Sequence, residues 1–189
     1  MRLSRVERRV QILRAATAVL VARGGFAATS LEDVAQASGV TRAILYRHFD
    51  SKDDLLRAAV DRAATDLHAA TTTDGELRDD SIGGMLRWAH GEPAAFRLLF
   101  HHAVREPACR TQVDALLDAM TAAVLPHTGD QTGPWGRWTA RLATSTVVEA
   151  VLCWLDVGCP DPDEALGRIL RVVEGIVSAA PVASRAPAD

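Results

Sequence analysis

The chain has 189 residues, 48% of them hydrophobic, and a formal charge of −3 at pH 7. That is enough apolar material for a real core. No apolar run approaches the roughly 18 residues of a membrane span, and the opening MRLSRVERRV turns to charge where a signal peptide would turn apolar. We therefore expect no membrane partner and a cytoplasmic location. Cys109, Cys153 and Cys159 have no CxxC spacing, so they are read as small buried hydrophobes rather than as a disulfide framework or zinc site.

The charge is unevenly spread. Residues 1–47 carry eight arginines against Glu7, Glu32 and Asp33, a net +5, which leaves −8 for the rest. A basic head on an acidic body points to a polyanion partner for the head alone.

Apolar residues recur at helical spacing almost throughout, without β-branched alternation, so the fold is expected to be all-α. In the first predicted helix Val6, Val10, Leu13, Thr17 and Leu20 form a stripe, stopped by Gly24-Gly25, after which Phe26 anchors the returning chain. Ser30 is a predicted N-cap with Asp33 at the third helical position. This second helix ends at Gly39, and Thr41 caps a third helix reaching about Phe49. Two helices joined by a short glycine turn make a helix-turn-helix, and Ala35 and Leu45 suit its tight packing. Asp50-Ser51 caps a fourth helix from about Lys52 to Thr71, with Asp53 and Asp54 complementing its dipole.

The polar stretch TTTDGELRDDS, residues 71–81, is the expected hinge between head and body. Helices are then predicted at 82–90, 94–104, 111–125, 135–157 and about 163–180, with breaks at Gly91-Glu92-Pro93 and Pro107 and a loop over 127–136. The division reads as a head over 1–50, a helical body over 51–180, and a disordered tail over 181–189.

The third helix carries the chemistry. Leu45 and Phe49 should point into the head's small core, which turns Arg42, Ala43, Ile44, Tyr46, Arg47 and His48 outward, with Thr41 at the helix start. Exposed apolar and aromatic groups among cations suit a DNA major groove, where Arg binds guanine bidentately and an apolar group meets the thymine methyl. A hydroxyl, an imidazole and Lys52 at the next helix start can hold phosphates. The expected partner is double-stranded DNA.

The run TSLEDVAQASGVTRAILYRHFDSKDDLL, preceded by QILRAATAVLVARGGF, resembles the N-terminal domain of TetR/AcrR-type transcriptional regulators, specifically over about residues 8–60. Beyond that the likeness is architectural, a helical body ending in two long helices. The resemblance implies a dimeric repressor, less often an activator, whose body binds a small molecule. It also implies that Arg42, Ala43 and Ile44 read bases, that Tyr46 and His48 contact phosphates, and that Lys52 clamps one at a helix start. Ala43, often Gly in that family, and Ile44, often Thr, depart from the common pattern, so the operator cannot be borrowed from relatives.

In the body, the 135–157 helix is apolar on two sides. Trp138, Leu142, Ser145 and Leu152 form one stripe; Ala143, Val147, Val151 and Trp154 form the other. A helix apolar all round must be buried all round, which suggests a two-fold dimer interface shared with the last helix, including Val147, Val151, Leu166, Leu170, Val173 and Val177. Met85, Trp88, Phe96, Phe100, His101, Met120 and Trp154 are the expected lining of a pocket for a small apolar effector. His101 and His102, being adjacent, diverge on a helix and are read as structural or pocket histidines rather than as a zinc site, so no metal and no cofactor are expected. The chain has no phosphate loop, GxSxG or HExxH, which argues against an enzyme. The remaining competitor is a DNA-binding protein without ligand control.

Overall fold

A computed structural model of the protein describes residues 4–129 and 132–179. The tail over 181–189 lies outside the described residues. The architecture is all-helical apart from one two-stranded ladder, and no helix among the described residues is long and apolar enough to cross a membrane.

Helix α1 spans Arg5–Ala22. Ser4 opens it with a full capping box, its hydroxyl accepting from the Glu7 N–H while Glu7 accepts from the Ser4 N–H at 2.7 Å. The run Ser4-Arg5-Val6-Glu7 carries the S-x-x-E spacing of that box. The buried face is Ile12, Leu13, Ala16 and Leu20, so the predicted stripe is buried at Leu13 and Leu20, half-buried at Val10 and Thr17, and 73% exposed at Val6. After Ala22 the chain turns through Gly24 (φ 82°) and Gly25 (φ 124°), left-handed backbone that an L side chain rarely adopts.

Helix α2 spans Leu31–Ser38 with the expected Ser30–Asp33 capping box, and Gly39 closes it at φ 66°. Helix α3 is short, Arg42–Tyr46, capped by the Thr41 hydroxyl. It does not run to Phe49; the chain tightens there, with His48 N–H donating to the Leu45 carbonyl at 2.9 Å. Leu45 and Phe49 are nonetheless buried as expected. Gln11 ties α1 to the helix-turn-helix by donating to the Ser38 carbonyl at 2.9 Å.

Helix α4 covers Lys52–Thr71. The expected hinge is instead a tight hairpin, β1 (Thr72–Thr73) paired antiparallel with β2 (Glu76–Leu77). Asp74 and Gly75 both have positive φ, 53° and 85°, the conformation for which Asp-Gly is the usual dipeptide in a two-residue hairpin. Helix α5, Ser81–Gly91, then stacks so closely on the end of α4 that a Cβ at Gly84 would fall 2.1 Å from the Ala70 carbonyl oxygen.

The predicted 94–104 helix is three pieces: α6 over Pro93–Arg97, a π-helical turn over Leu98–His102, and a 3-10 turn over Ala103–Arg105. The widened turn sits against α1 and α4, and His102 lies beside Gly25. A second 3-10 turn at Pro107–Cys109 leads into α7, Arg110–Val124. Helices α8, Pro134–Asp156, and α9, Pro162–Ser178, pack against each other and complete the body. One buried cluster runs from Ile12 and Leu45 through Leu56, Val60 and Leu67 on α4 to Phe96, Leu99 and Val151. Helix α4 is therefore core to both head and body.

Candidate nucleic-acid interface

Helix α3 presents Arg42, Ala43, Tyr46 and Arg47 on one exposed face, with Thr41 exposed at its start. Ile44 and His48, expected on the same face, are half-buried. Their outer edges remain available, but each also packs on the head.

Two of the cations expected to contact DNA are tethered. Arg42 pairs through one terminal nitrogen with Glu32 on α2, and its other terminal nitrogen donates to the Tyr46 hydroxyl at 3.2 Å. Its guanidinium also lies 5.4 Å from the Tyr46 ring centroid. Lys52, at the first position of α4, donates to the Phe26 carbonyl and sits 4.0 Å from the centroid of the Phe26 ring. The Phe26 anchor and the predicted phosphate clamp are thus one contact, closing the α1–α2 turn against the start of α4.

Arginines crowd the other end of α3. Burial pushes the His48 imidazole pKa below its usual value, and Arg5, Arg9, Arg47 and Arg8 push it further. At the α2 N-terminus, the Ser30 backbone N–H and hydroxyl hold the Asp33 carboxyl below the usual carboxylate range. Asp33 also pairs with Arg23 at 2.7 Å, fixing the entry to the helix-turn-helix.

The body departs further from expectation. Met85, Phe96 and Phe100 are buried in the packed core; Trp88 and Met120 are half-buried, and His101 is exposed. Phe96 stacks tilted on Trp88 and on Phe100, with centroids 6.0 and 4.8 Å apart, so these rings fill space against one another. Trp154 is buried with its indole N–H donating to the Pro160 carbonyl at 2.6 Å. Composition could name these side chains but not whether they meet one another or a void. Sequence reasoning missed Thr139 and Thr144, whose hydroxyls are buried on α8 without a hydrogen-bond partner; nothing in the sequence sets them apart from other threonines.

Val147 and Val151, expected at a dimer interface, are 7% and 0% exposed within the single chain. They belong to the protomer's core and have no surface to offer. Of the other stripe of α8, Trp138 and Leu142 are exposed, whereas Leu152 is buried in the core. On α9 Leu170 is exposed and Leu166, Val173 and Val177 are half-buried. Between the two helices runs an open groove of about 830 Å³, bordered by Ala150, Cys153, Val157, Ala165, Ile169 and Val172 and rimmed by Glu149, Glu164 and Arg168. Of the residues expected to line a pocket, only Trp154 borders it.

Known proteins fit this geometry. The family described as "Bacterial regulatory proteins, tetR family" matches residues 12–59, which take in most of α1, all of α2 and α3 and the start of α4. The chain is 30% identical to the HTH-type transcriptional activator FasR of Mycolicibacterium smegmatis, over 96% of this chain and 88% of that one. It is 42% identical to the HTH-type transcriptional repressor Rv3405c of Mycobacterium tuberculosis over 110 residues, 58% of this chain and 56% of that one. The crystal structure of a TetR-like transcriptional regulator from Rhodococcus sp. RHA1 superposes with a TM-score of 0.73 at 21% identity, covering 94% of this chain and all of that one. With one relative matched nearly end to end and the helix-turn-helix matched on its own, the chain belongs to the tetR family of bacterial transcriptional regulators.

Proposed function

We propose that the protein is a ligand-responsive transcriptional regulator that grips a near-palindromic operator as a homodimer and releases it when a small, largely apolar effector enters the body. The observation that carries this reading is the exposed face of α3, Arg42, Ala43, Tyr46 and Arg47, standing at the start of a helix, α4, that is core to both head and body. In this reading Arg42, Ala43 and the outer edge of Ile44 meet base edges, while Thr41, Tyr46, Arg47, His48 and Lys52 meet phosphates. A helix of five residues reads too few base pairs to locate one site in a genome, so two heads act together. The apolar groove between α8 and α9 supports a second copy as its occupant.

The effector belongs inside the body, between the middle helices, where the buried Thr139 and Thr144 hydroxyls of α8, which lack a hydrogen-bond partner, serve as its polar handles. Parting those helices tilts α4 and shifts the π-helical turn that rests on α1, changing the spacing of the two heads. The protein represses wherever its operator overlaps a promoter; the relatives named above include one activator and one repressor, and the sign of regulation follows the placement of the site on DNA.

The test begins with selection of binding duplexes from a random pool by the full-length protein. We expect an inverted repeat with half-site centres about one DNA turn, roughly 34 Å, apart. Small apolar compounds that raise the melting temperature should then weaken operator binding about 5- to 150-fold. A single unrepeated half-site would remove the dimer from this reading, and stabilising compounds without effect on operator affinity would remove ligand control.

A further inference from the structure

The Glu32–Arg42–Tyr46 contact lies on the face that meets DNA, and nothing in the folding of the head requires it. Glu32 and Arg42 are 56% and 61% exposed at their side chains, and α2 is already capped and paired through Ser30, Asp33 and Arg23. The head core is formed by Val34, Leu45 and Phe49 without them. The arrangement nevertheless holds the guanidinium from two sides, by a carboxylate on α2 and by a phenol one turn along α3. A tethered arginine has less freedom to reach an arbitrary phosphate, and less entropy to lose on meeting a base edge in the right place.

We propose that Glu32 is a specificity-determining residue, one that keeps Arg42 on the base-reading face and penalises its transfer to the DNA backbone. The proposal rests on Arg42 as a base contact. An exposed ion pair is worth at most about fivefold in an equilibrium constant. A bidentate contact to guanine is worth about 5- to 150-fold, so a correct base can outbid the tether or accept the guanidinium as the tether presents it. A phosphate at a random sequence offers Arg42 only a positioning contact. Taking it leaves Glu32 unpaired beside a polyanion. Random DNA therefore gains less from Arg42 than the operator does, and the ratio of the two affinities rises. Tyr46 shares the work, since its hydroxyl holds the other terminal nitrogen.

The experiment measures dissociation constants of the full-length protein at one fixed salt concentration, for the selected operator duplex and for a scrambled duplex of the same length. The proteins are the unmodified chain, Glu32→Gln, Arg42→Ala and the double variant, with circular dichroism to confirm folding. Glu32→Gln should strengthen binding to scrambled DNA about 2- to 5-fold more than binding to the operator, lowering the specificity ratio by that factor. In the Arg42→Ala background the same change should leave the ratio unmoved. Tyr46→Phe, which keeps the ring and removes the hydroxyl, should lower the ratio in the same direction by a smaller factor. Two results would overturn the proposal: Glu32→Gln raising both affinities equally, or the loss of ratio persisting without Arg42, which would make Glu32 a plain repeller of phosphate. If Arg42→Ala alone leaves the ratio unchanged, the base contact itself is wrong and the proposal falls with it, a failure visible before Glu32 is touched.

Discussion

Arg9 on α1 donates to the backbone carbonyl of His48 at 2.7 Å, just beyond the end of α3. The same guanidinium lies 4.4 Å from the Phe49 ring centroid. An arginine that sequence alone would count toward phosphate binding is thus a fastener, holding the chain just beyond α3 to the first helix of the head. Arg9→Met keeps the apolar stem and removes the charge-assisted bond and the cation–π contact. We expect it to destabilise the protein by about 1–3 kcal/mol, read as a lower urea midpoint at unchanged slope. Operator affinity should fall with it. Unchanged stability with reduced affinity for all DNA would instead make Arg9 a phosphate contact.

Lys52 leads to the opposite kind of prediction. Its ammonium is anchored by the Phe26 carbonyl and ring, at a helix start where phosphate is favoured. Lys52→Ala should weaken operator and scrambled DNA by the same factor and reduce the slope of log affinity against log salt by about one. A loss confined to the operator would refute the backbone role.

The elements that sequence could read were those specified locally. Ser30 with Asp33, Gly39 and Thr41 each fixed a helix boundary through their own hydrogen bonds or backbone angles, and α4 begins at Lys52 because Ser51 caps it. What escaped depended on partners distant in the chain. Val6 satisfies the period of a buried stripe but is 73% exposed. Leu98–His102 reads as ordinary helix, yet it widens into a π turn where it meets α1 and α4. Likewise α8 showed two apolar stripes, and only packing decided that Val147 and Val151 face inward while Trp138 and Leu142 remain open. At the candidate interface the residue set was legible, because a basic, partly apolar face is a composition. The tethers on Arg42 and Lys52 come from Glu32 and Phe26, 10 and 26 positions away, and no periodicity reports them.

If His48 meets phosphate as proposed, the interface should depend on pH. Burial and then the nearby Arg5, Arg9, Arg47 and Arg8 push its pKa below the usual histidine value in the free protein, which favours the neutral imidazole. Phosphates screen those arginines and favour the imidazolium, which raises the pKa in the complex. The complex then binds more protons than the free protein, and affinity must rise as pH falls through the window between the two values. We expect operator affinity to increase on acidification from about pH 7.5 toward 5.5, and this increase to be reduced in His48→Gln. The folded state alone responds in the other sense. A lowered histidine pKa costs stability as pH falls below 6.5, because the unfolded chain takes the proton first. Stability and DNA affinity should therefore move in opposite directions over the same range. A pH profile for His48→Gln that matches the unmodified protein would assign the dependence to other groups.

The assembly can be tested at a residue the protomer does not need. Val172 on α9 is 52% exposed and borders the groove between α8 and α9, whereas Val151, on the inner face of α8, is fully buried. A carboxylate at position 172 remains in water in the single chain, so Val172→Asp should change protomer stability by no more than about 0.5 kcal/mol. In a two-fold dimer the same carboxylate, and its symmetry mate, would be taken out of water without a partner, at a cost of several kcal/mol. Val172→Asp should therefore sediment as a folded monomer, lose the concentration dependence of its melting temperature, and bind an inverted repeat no better than a lone half-site. Val151→Asp separates this from simple unfolding, since a charge in the core should abolish the cooperative melt altogether. If Val172→Asp stays dimeric with full operator affinity, the groove is not where two copies meet. If the unmodified protein sediments as a monomer at concentrations where it saturates the operator, the two-headed reading is wrong, and one five-residue helix must find its site by means other than paired half-sites.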